Sequence, residues 1–99
     1  MRQGSTPTFR FKVPFEKKSI SKARILFGYG NVLILKKEAS DLKISDNLIE
    51  TTLTQEETFL FIPDSEADVI VRVLTHEAKA FVSNGLKTIV EGIMDKEVL

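Results

Sequence analysis

The sequence predicts an all-β fold. Several segments alternate strictly between apolar and polar side chains, the period-two pattern of a half-buried strand. Turn-forming residues recur about every ten positions, a spacing that suits sandwiches and barrels. β-Branched and aromatic residues concentrate between those turns. Seven or eight short antiparallel strands of this kind, in 99 residues, make a single domain of immunoglobulin-like β-sandwich type. The Cys…Trp…Cys hallmark of antibody domains is absent.

The elements follow in order. Residues 1–7 read as a flexible N-terminal arm. Thr8–Val13 is a strand with Phe9, Phe11 and Val13 on one face, and Pro14 ends it. Phe15–Ser21 is a polar connection. Ala23–Tyr29 is a strand with Ala23, Ile25, Phe27 and Tyr29 aligned, and Gly30-Asn31 is its turn. Val32–Lys37 returns, with both faces expected to be partly buried near the turn. Asp41–Ser45 and Leu48–Leu53 form a hairpin about Asp46-Asn47, with Ile49, Thr51 and Leu53 on one side. Thr54-Gln55-Glu56-Glu57 matches a capping box, so one helical turn should cross between sheets. Phe59 and Phe61 face the core, and Asp64-Ser65-Glu66 reads as an acidic loop. Val69–Thr75 is the strongest strand, His76-Glu77-Ala78 a turn, and Lys79–Ser83 the returning strand. Asn84-Gly85 marks a bulge or break before Leu86–Val90, and residues 93–99 read as a tail. Helical spacing of Ile89, Ile93 and Met94 leaves a helix over 77–82 or 86–97 as the competing reading.

The charges carry a hidden asymmetry. Fourteen basic and fourteen acidic groups cancel overall. Residues 1–43 nevertheless hold ten basic groups against three acidic ones, and residues 44–99 hold four against eleven. Such a chain can present a positive and a negative surface at once. Neutrality overall denies it a strong net attraction to phosphate, so nucleic acid is not an expected partner. No apolar run is longer than the four residues of Val32–Leu35, far too short to span a membrane, and the first residues hold no secretory apolar stretch. The absence of cysteine excludes disulfides, thiolate metal sites and cysteine nucleophiles. The expectation is a soluble intracellular product, at least where it is made.

No catalytic signature accompanies these features. His76 is the only histidine, it lies in a turn, and zinc would need three or four ligands. Glu56 and Glu57 are neighbours in a helical turn and point about 100° apart, so they do not flank one substrate bond. Asp64, Glu66 and Asp68 alternate like a calcium loop but lack its glycine and terminal glutamate. Gly28-Tyr29-Gly30 has no strand–loop–helix context for phosphate, and no serine sits in a nucleophile elbow. The expectation is no enzyme, no cofactor and no metal. Arg10, Lys12 and Arg24, with Lys17, Lys18 and Lys22, form the one basic patch. The interaction candidates are Arg10, Lys12, Arg24, Asp64, Glu66 and Asp68, with Tyr29 as an exposed aromatic at a hairpin tip.

Four stretches carry a resemblance: Thr6-Pro7-Thr8-Phe9, Leu53–Phe61, Val69–Thr75 and Ala80–Asn84. Together with the closing Asp95-Lys96-Glu97-Val98-Leu99, they resemble a family of small proteins encoded in phages and prophages of Gram-positive bacteria. More distantly, the strand order and the Leu-Thr…Thr…Phe pattern resemble the N-terminal immunoglobulin-like domain of phage baseplate upper proteins. Lys79-Ala80 departs from that family, where a glycine would ease the hairpin, as does the lack of cysteines near residues 41 and 64. The resemblance implies a structural or accessory role in a virion tail or baseplate, made through protein–protein contacts, and supplies no catalytic residues. It also implies synthesis in the bacterial cytoplasm before incorporation into a phage particle. The rival reading is a monomeric accessory module that captures a host protein or a carbohydrate through Tyr29. The charge asymmetry favours self-association, head to tail, or contact with other virion proteins. Association should then weaken with added salt, and light scattering across a salt series at high concentration would expose an unchanging monomer.

Overall fold

The computed structural model describes residues 1–99 as two antiparallel sheets closed on a shared core. The strands are β1 (Thr8–Lys12), β2 (Ile20–Tyr29), β3 (Val32–Glu38), β4 (Lys43–Ser45), β5 (Leu48–Thr52), β6 (Ser65–Thr75), β7 (Ala80–Val82) and β8 (Leu86–Val90). One helical turn, α1 (Gln55–Thr58), connects β5 to β6. The smaller sheet has the order β1-β5-β4, and the five-stranded sheet has the order β3-β2-β6-β7, with β8 also on β6. β7 and β8 both pair antiparallel with β6, at Arg72–Leu74 and Ser65–Val69 respectively. They are one edge strand interrupted at Asn84-Gly85, as the sequence predicted, and the helical alternative there is excluded. This strand order matches the B-E-D and C′-C-F-G sheets of a variable-type immunoglobulin sandwich. The expected fold class is the one observed.

The core follows from alternation. Ile25 and Phe27 of β2, Ile49 of β5, Val69, Val71 and Val73 of β6, and Val90 of β8 are all buried. Phe27 sits at the centre, edge-on to Phe9 at 5.1 Å and to Phe61 at 5.9 Å between ring centroids. These tilted contacts join β1, β2 and the segment after α1, and aromatic pairs of this geometry add to simple burial.

Four expectations are corrected. The N-terminal arm is built into the structure rather than free. Glu91 N–H donates to the Met1 carbonyl and Gln3 N–H to the Glu91 carbonyl, adding residues 1–3 parallel to the end of β8. Gln3 is buried, 3% exposed, and its side-chain amide donates to the Phe61 carbonyl. Val32 and Leu33, expected to be partly buried, are exposed. The reason is a register shift: Phe27 faces Leu35 but Gly28 faces Leu33, so Ile34 is an extra residue and the hairpin end swings beyond the core. The acidic loop is strand, because β6 begins at Ser65 and Ala67 is fully buried between Glu66 and Asp68. Finally, β2 begins at Ile20, so most of the connection assigned to Phe15–Ser21 is reduced to a single 3-10 turn at Lys17–Ser19.

Gly28 permits the bulge. A Cβ there would lie 2.2 Å from the Val32 carbonyl oxygen, whereas a Cβ at Gly85 would meet nothing. Gly28→Ala is therefore expected to cost about 1–3 kcal/mol through forced backbone movement. Gly85→Ala should stay within about 0.5 kcal/mol. Urea unfolding midpoints of the two variants provide the comparison, and equal midpoints would refute the crowding at Gly28.

Candidate interaction surface on the five-stranded sheet

The same alternation that fills the core selects what the five-stranded sheet shows to solvent. On β6 the outward positions are Glu66, Asp68, Ile70, Arg72 and Leu74. Register places Gly28, Leu26, Arg24 and Lys22 of β2 beside Asp68, Ile70, Arg72 and Leu74. Across the next pairing, Leu33, Lys36 and Glu38 of β3 stand opposite Gly28, Leu26 and Arg24. On the other edge, Val82 and Ala80 of β7 meet Arg72 and Leu74, while Lys87 and Ile89 of β8 meet Asp68 and Glu66. One face thus gathers Leu26, Leu33, Ile70, Leu74, Val82 and Ile89. Leu33, Val82 and Ile89 are more than half exposed. A shallow depression of about 230 Å³ lies between Leu26, Gly28, Leu33 and Ile70. Leu26 and Ile70 adjoin at the centre, and the remaining apolar side chains alternate with charges toward the edges, a mixture found at protein-contact surfaces.

The charges on this face fall into two groups. At one end, Lys87 Nζ is 3.0 Å from Asp68 and 3.7 Å from Glu66. Asp68 also accepts the Gly30 N–H at 2.8 Å, which ties the β2–β3 turn to β6. The Lys87 hydrogen bond, then the Gly30 N–H, hold the Asp68 carboxyl below its usual range, and Asp68 in turn raises Lys87. At the other end, Glu38 receives Arg24 at 2.6 Å and Lys36 at 3.5 Å. Desolvation works to raise Glu38, but these two cations outweigh it and its carboxyl titrates low. Arg72 stands directly opposite Arg24, and it joins none of the ion pairs. Like charges directly opposed on adjacent strands are unfavourable.

The sequence-derived candidates separate in space. Arg24, Glu66 and Asp68 share this face. Arg10 and Lys12 lie on β1 in the other sheet, so the predicted basic patch is split between two sheets. The alternation on β1 resembled that on β2, and only pairing shows that the two strands belong to different layers. Arg10 reaches Glu50 at 3.5 Å. The Pro7 carbonyl accepts from Leu53 and the Val13 N–H donates to Asn47. Odd positions of β1 therefore bond to β5, and Thr8, Arg10 and Lys12 direct their backbone groups to the open edge. Their cationic side chains suit the protection of such an edge. Asp64 precedes β6 and accepts from Gly92 N–H at 3.2 Å. Tyr29 is not the exposed platform expected. Its hydroxyl lies 2.6 Å from Ser65 Oγ and accepts from Ile62 N–H at 3.0 Å, and its ring packs near Phe61. It is an inward residue at the end of β2, consistent with its alignment with Ile25 and Phe27. Arg72, Lys87 and the six apolar residues were missed. The even positions of β6 carried a signal, but their company on β2, β3 and β8 depends on register.

Behind the face, Lys37 points inward on β3 and is sealed by α1. Its ammonium donates to Glu57 Oε1 at 2.6 Å, with the two side chains 8% and 21% exposed. The same oxygen accepts the Thr54 N–H at 2.8 Å, while Thr54 Oγ1 accepts the Glu57 N–H at 3.1 Å. The capping box predicted from sequence is present and also neutralises a cation from another sheet. No group of three or more His, Cys, Asp or Glu side chains is arranged to hold a metal ion.

No family model and no curated protein matches the chain. Among solved structures, the V domain of amphioxus IgVJ-C2 is similar, at 14% identity and a TM-score of 0.43, over 94% of this chain and 97% of that one. Likeness at this level carries no argument about partner or ligand.

Burial opposes ionisation of Glu57, but the hydrogen bonds from Lys37 and Thr54 outweigh it and lower its pKa. A depressed carboxylate contributes stability that is complete above its unfolded value and is lost as pH falls through the folded one. Stability should therefore hold near neutrality and decline below about pH 4.5. Glu57→Gln should lower stability at pH 7 by about 1–3 kcal/mol, because Lys37 is left buried without its counter-charge. The variant should also lose part of the decline on acidification. Denaturant unfolding of both proteins at pH 7 and pH 3.5 measures the difference, and parallel losses would exclude the pair as a source of acid sensitivity.

Proposed function

We propose that this chain is a non-enzymatic structural or accessory protein of a phage or prophage, acting through protein–protein contacts in a tail or baseplate assembly. The observation that carries the contact role is one outer face on which Leu26 and Ile70 adjoin at the centre and the exposed Leu33, Val82 and Ile89 lie on the edge strands, interspersed with Arg24, Arg72, Asp68 and Glu66. The phage setting rests on the resemblance carried by Leu53–Phe61, Val69–Thr75 and Ala80–Asn84. The involvement of Tyr29 in internal hydrogen bonds removes the motive for a carbohydrate-binding reading.

The test uses particles produced from the genome that encodes the chain. Peptide mass spectrometry on gradient-purified particles should find the protein at a fixed ratio to other tail components. Leu26→Asp, which places a charge at the centre of the face without touching the core, should leave the protein folded but absent from particles. Wild-type protein missing from purified particles would overturn the assignment.

A further inference from the structure

We propose that the outer face of the five-stranded sheet pairs with a second copy of the chain, end for end about a two-fold axis, so that Arg72 of each copy meets Asp68 and Glu66 of the other. This names the partner of the face described above and rests on that reading of it.

The argument begins with the order of side chains along β6. Outward positions run Glu66, Asp68, Ile70, Arg72, Leu74. Ile70 lies midway between an acidic and a basic residue, about 13 Å apart along the strand. Leu26 sits beside Ile70 at the same level. Two carboxylates share the single Lys87 at the acidic end. Arg24 and Lys36 share the single Glu38 toward the other end, where Arg72 reaches no carboxylate at all. The face therefore has a net-negative end, an apolar waist and a net-positive end.

Two orientations bring identical faces together by a two-fold axis lying between them. An axis along the strands stacks Arg72 near Arg72 and Asp68 near Asp68, which is repulsive at both ends. An axis across the strands at the level of Ile70 reverses one copy. Ile70 and Leu26 then meet their own equivalents, and Arg72 lies over Asp68 at both ends. The second arrangement is self-complementary in the sense required of an isologous interface. It supplies Arg72 with the counter-charge that it lacks in the monomer, and it covers the apolar waist. It also closes the assembly at two copies, in place of the head-to-tail chain that the charge halves of the sequence suggest.

Sedimentation velocity over a concentration series at low and high salt is the first measurement. The wild type should dimerise reversibly, more weakly as salt rises. Arg72→Glu alone and Asp68→Arg alone should each dimerise about tenfold more weakly or worse, because each faces like charge at both ends. An equimolar mixture of the two variants should recover the association. In the mixed dimer the introduced glutamate faces the introduced arginine at one end, and the native Asp68 faces the native Arg72 at the other. Recovery on mixing also shows that both variants are folded. A wild type that stays monomeric to about 1 mM, an Arg72→Glu dimer of undiminished affinity, or a mixture that fails to recover would each overturn the proposal. The outcome is separable from the particle experiment. A monomer that still enters particles leaves the contact role standing without the dimer, and a dimer absent from particles leaves the dimer standing without the phage role.

Discussion

The alternation of β6 governs most of this molecule. It is the central strand of its sheet, bonded to β2 on one side and to β7 and β8 on the other. Its odd positions, Ala67, Val69, Val71, Val73 and Thr75, are buried. Its even positions are the spine of the exposed face. A slip of one residue would exchange the two sets, burying Glu66, Asp68 and Arg72 while exposing the valines. The burial of so many β-branched side chains on one face fixes the register, and the register then decides which charges and apolar groups stand together outside. The contact surface is thus a by-product of the core.

Polar tethers complete what the core leaves open. Lys37 faces the interior of the sandwich at a position where alternation demands an inward side chain. Its charge is tolerated because Glu57, already held by the capping box of α1, stands 2.6 Å away. One carboxylate therefore caps a helical turn, neutralises a buried cation and links the crossover to β3. Gln3 plays a parallel role at the other end, giving its amide N–H to Phe61 and accepting from Lys96. The buried polar side chains of the protein are satisfied throughout. None of these tethers is local in sequence except the capping box.

Local signals explain how much could be read in advance. Strand alternation at Thr8–Val13 and Leu48–Leu53, the turn at Asp46-Asn47, the Thr54–Glu57 box and the break at Asn84-Gly85 are each complete within a few residues, and each is present in the structure. Errors arose where the deciding partner was distant. The start of β6 looked like an acidic loop because Lys87, which pairs Glu66 and Asp68, lies on a later strand. Residues 1–3 looked free because their hydrogen-bond partners are at Ile89 and Glu91. Tyr29 looked exposed because Ile62 and Ser65, which engage its hydroxyl, follow an intervening hairpin and helical turn.

The amino-acid sequence by itself determined the fold class, the succession of short strands along the chain, the single helical crossover and the split of charge between halves. Each depends on periodicity, propensity or composition, which are properties of short segments. Only the tertiary structure decided that Arg10 and Lys12 belong to one sheet and Arg24 to the other, and that Glu66, Asp68 and Arg72 share a face with a cluster of apolar side chains. Strand pairing makes those choices, because the register between segments far apart in sequence is set by their joint burial.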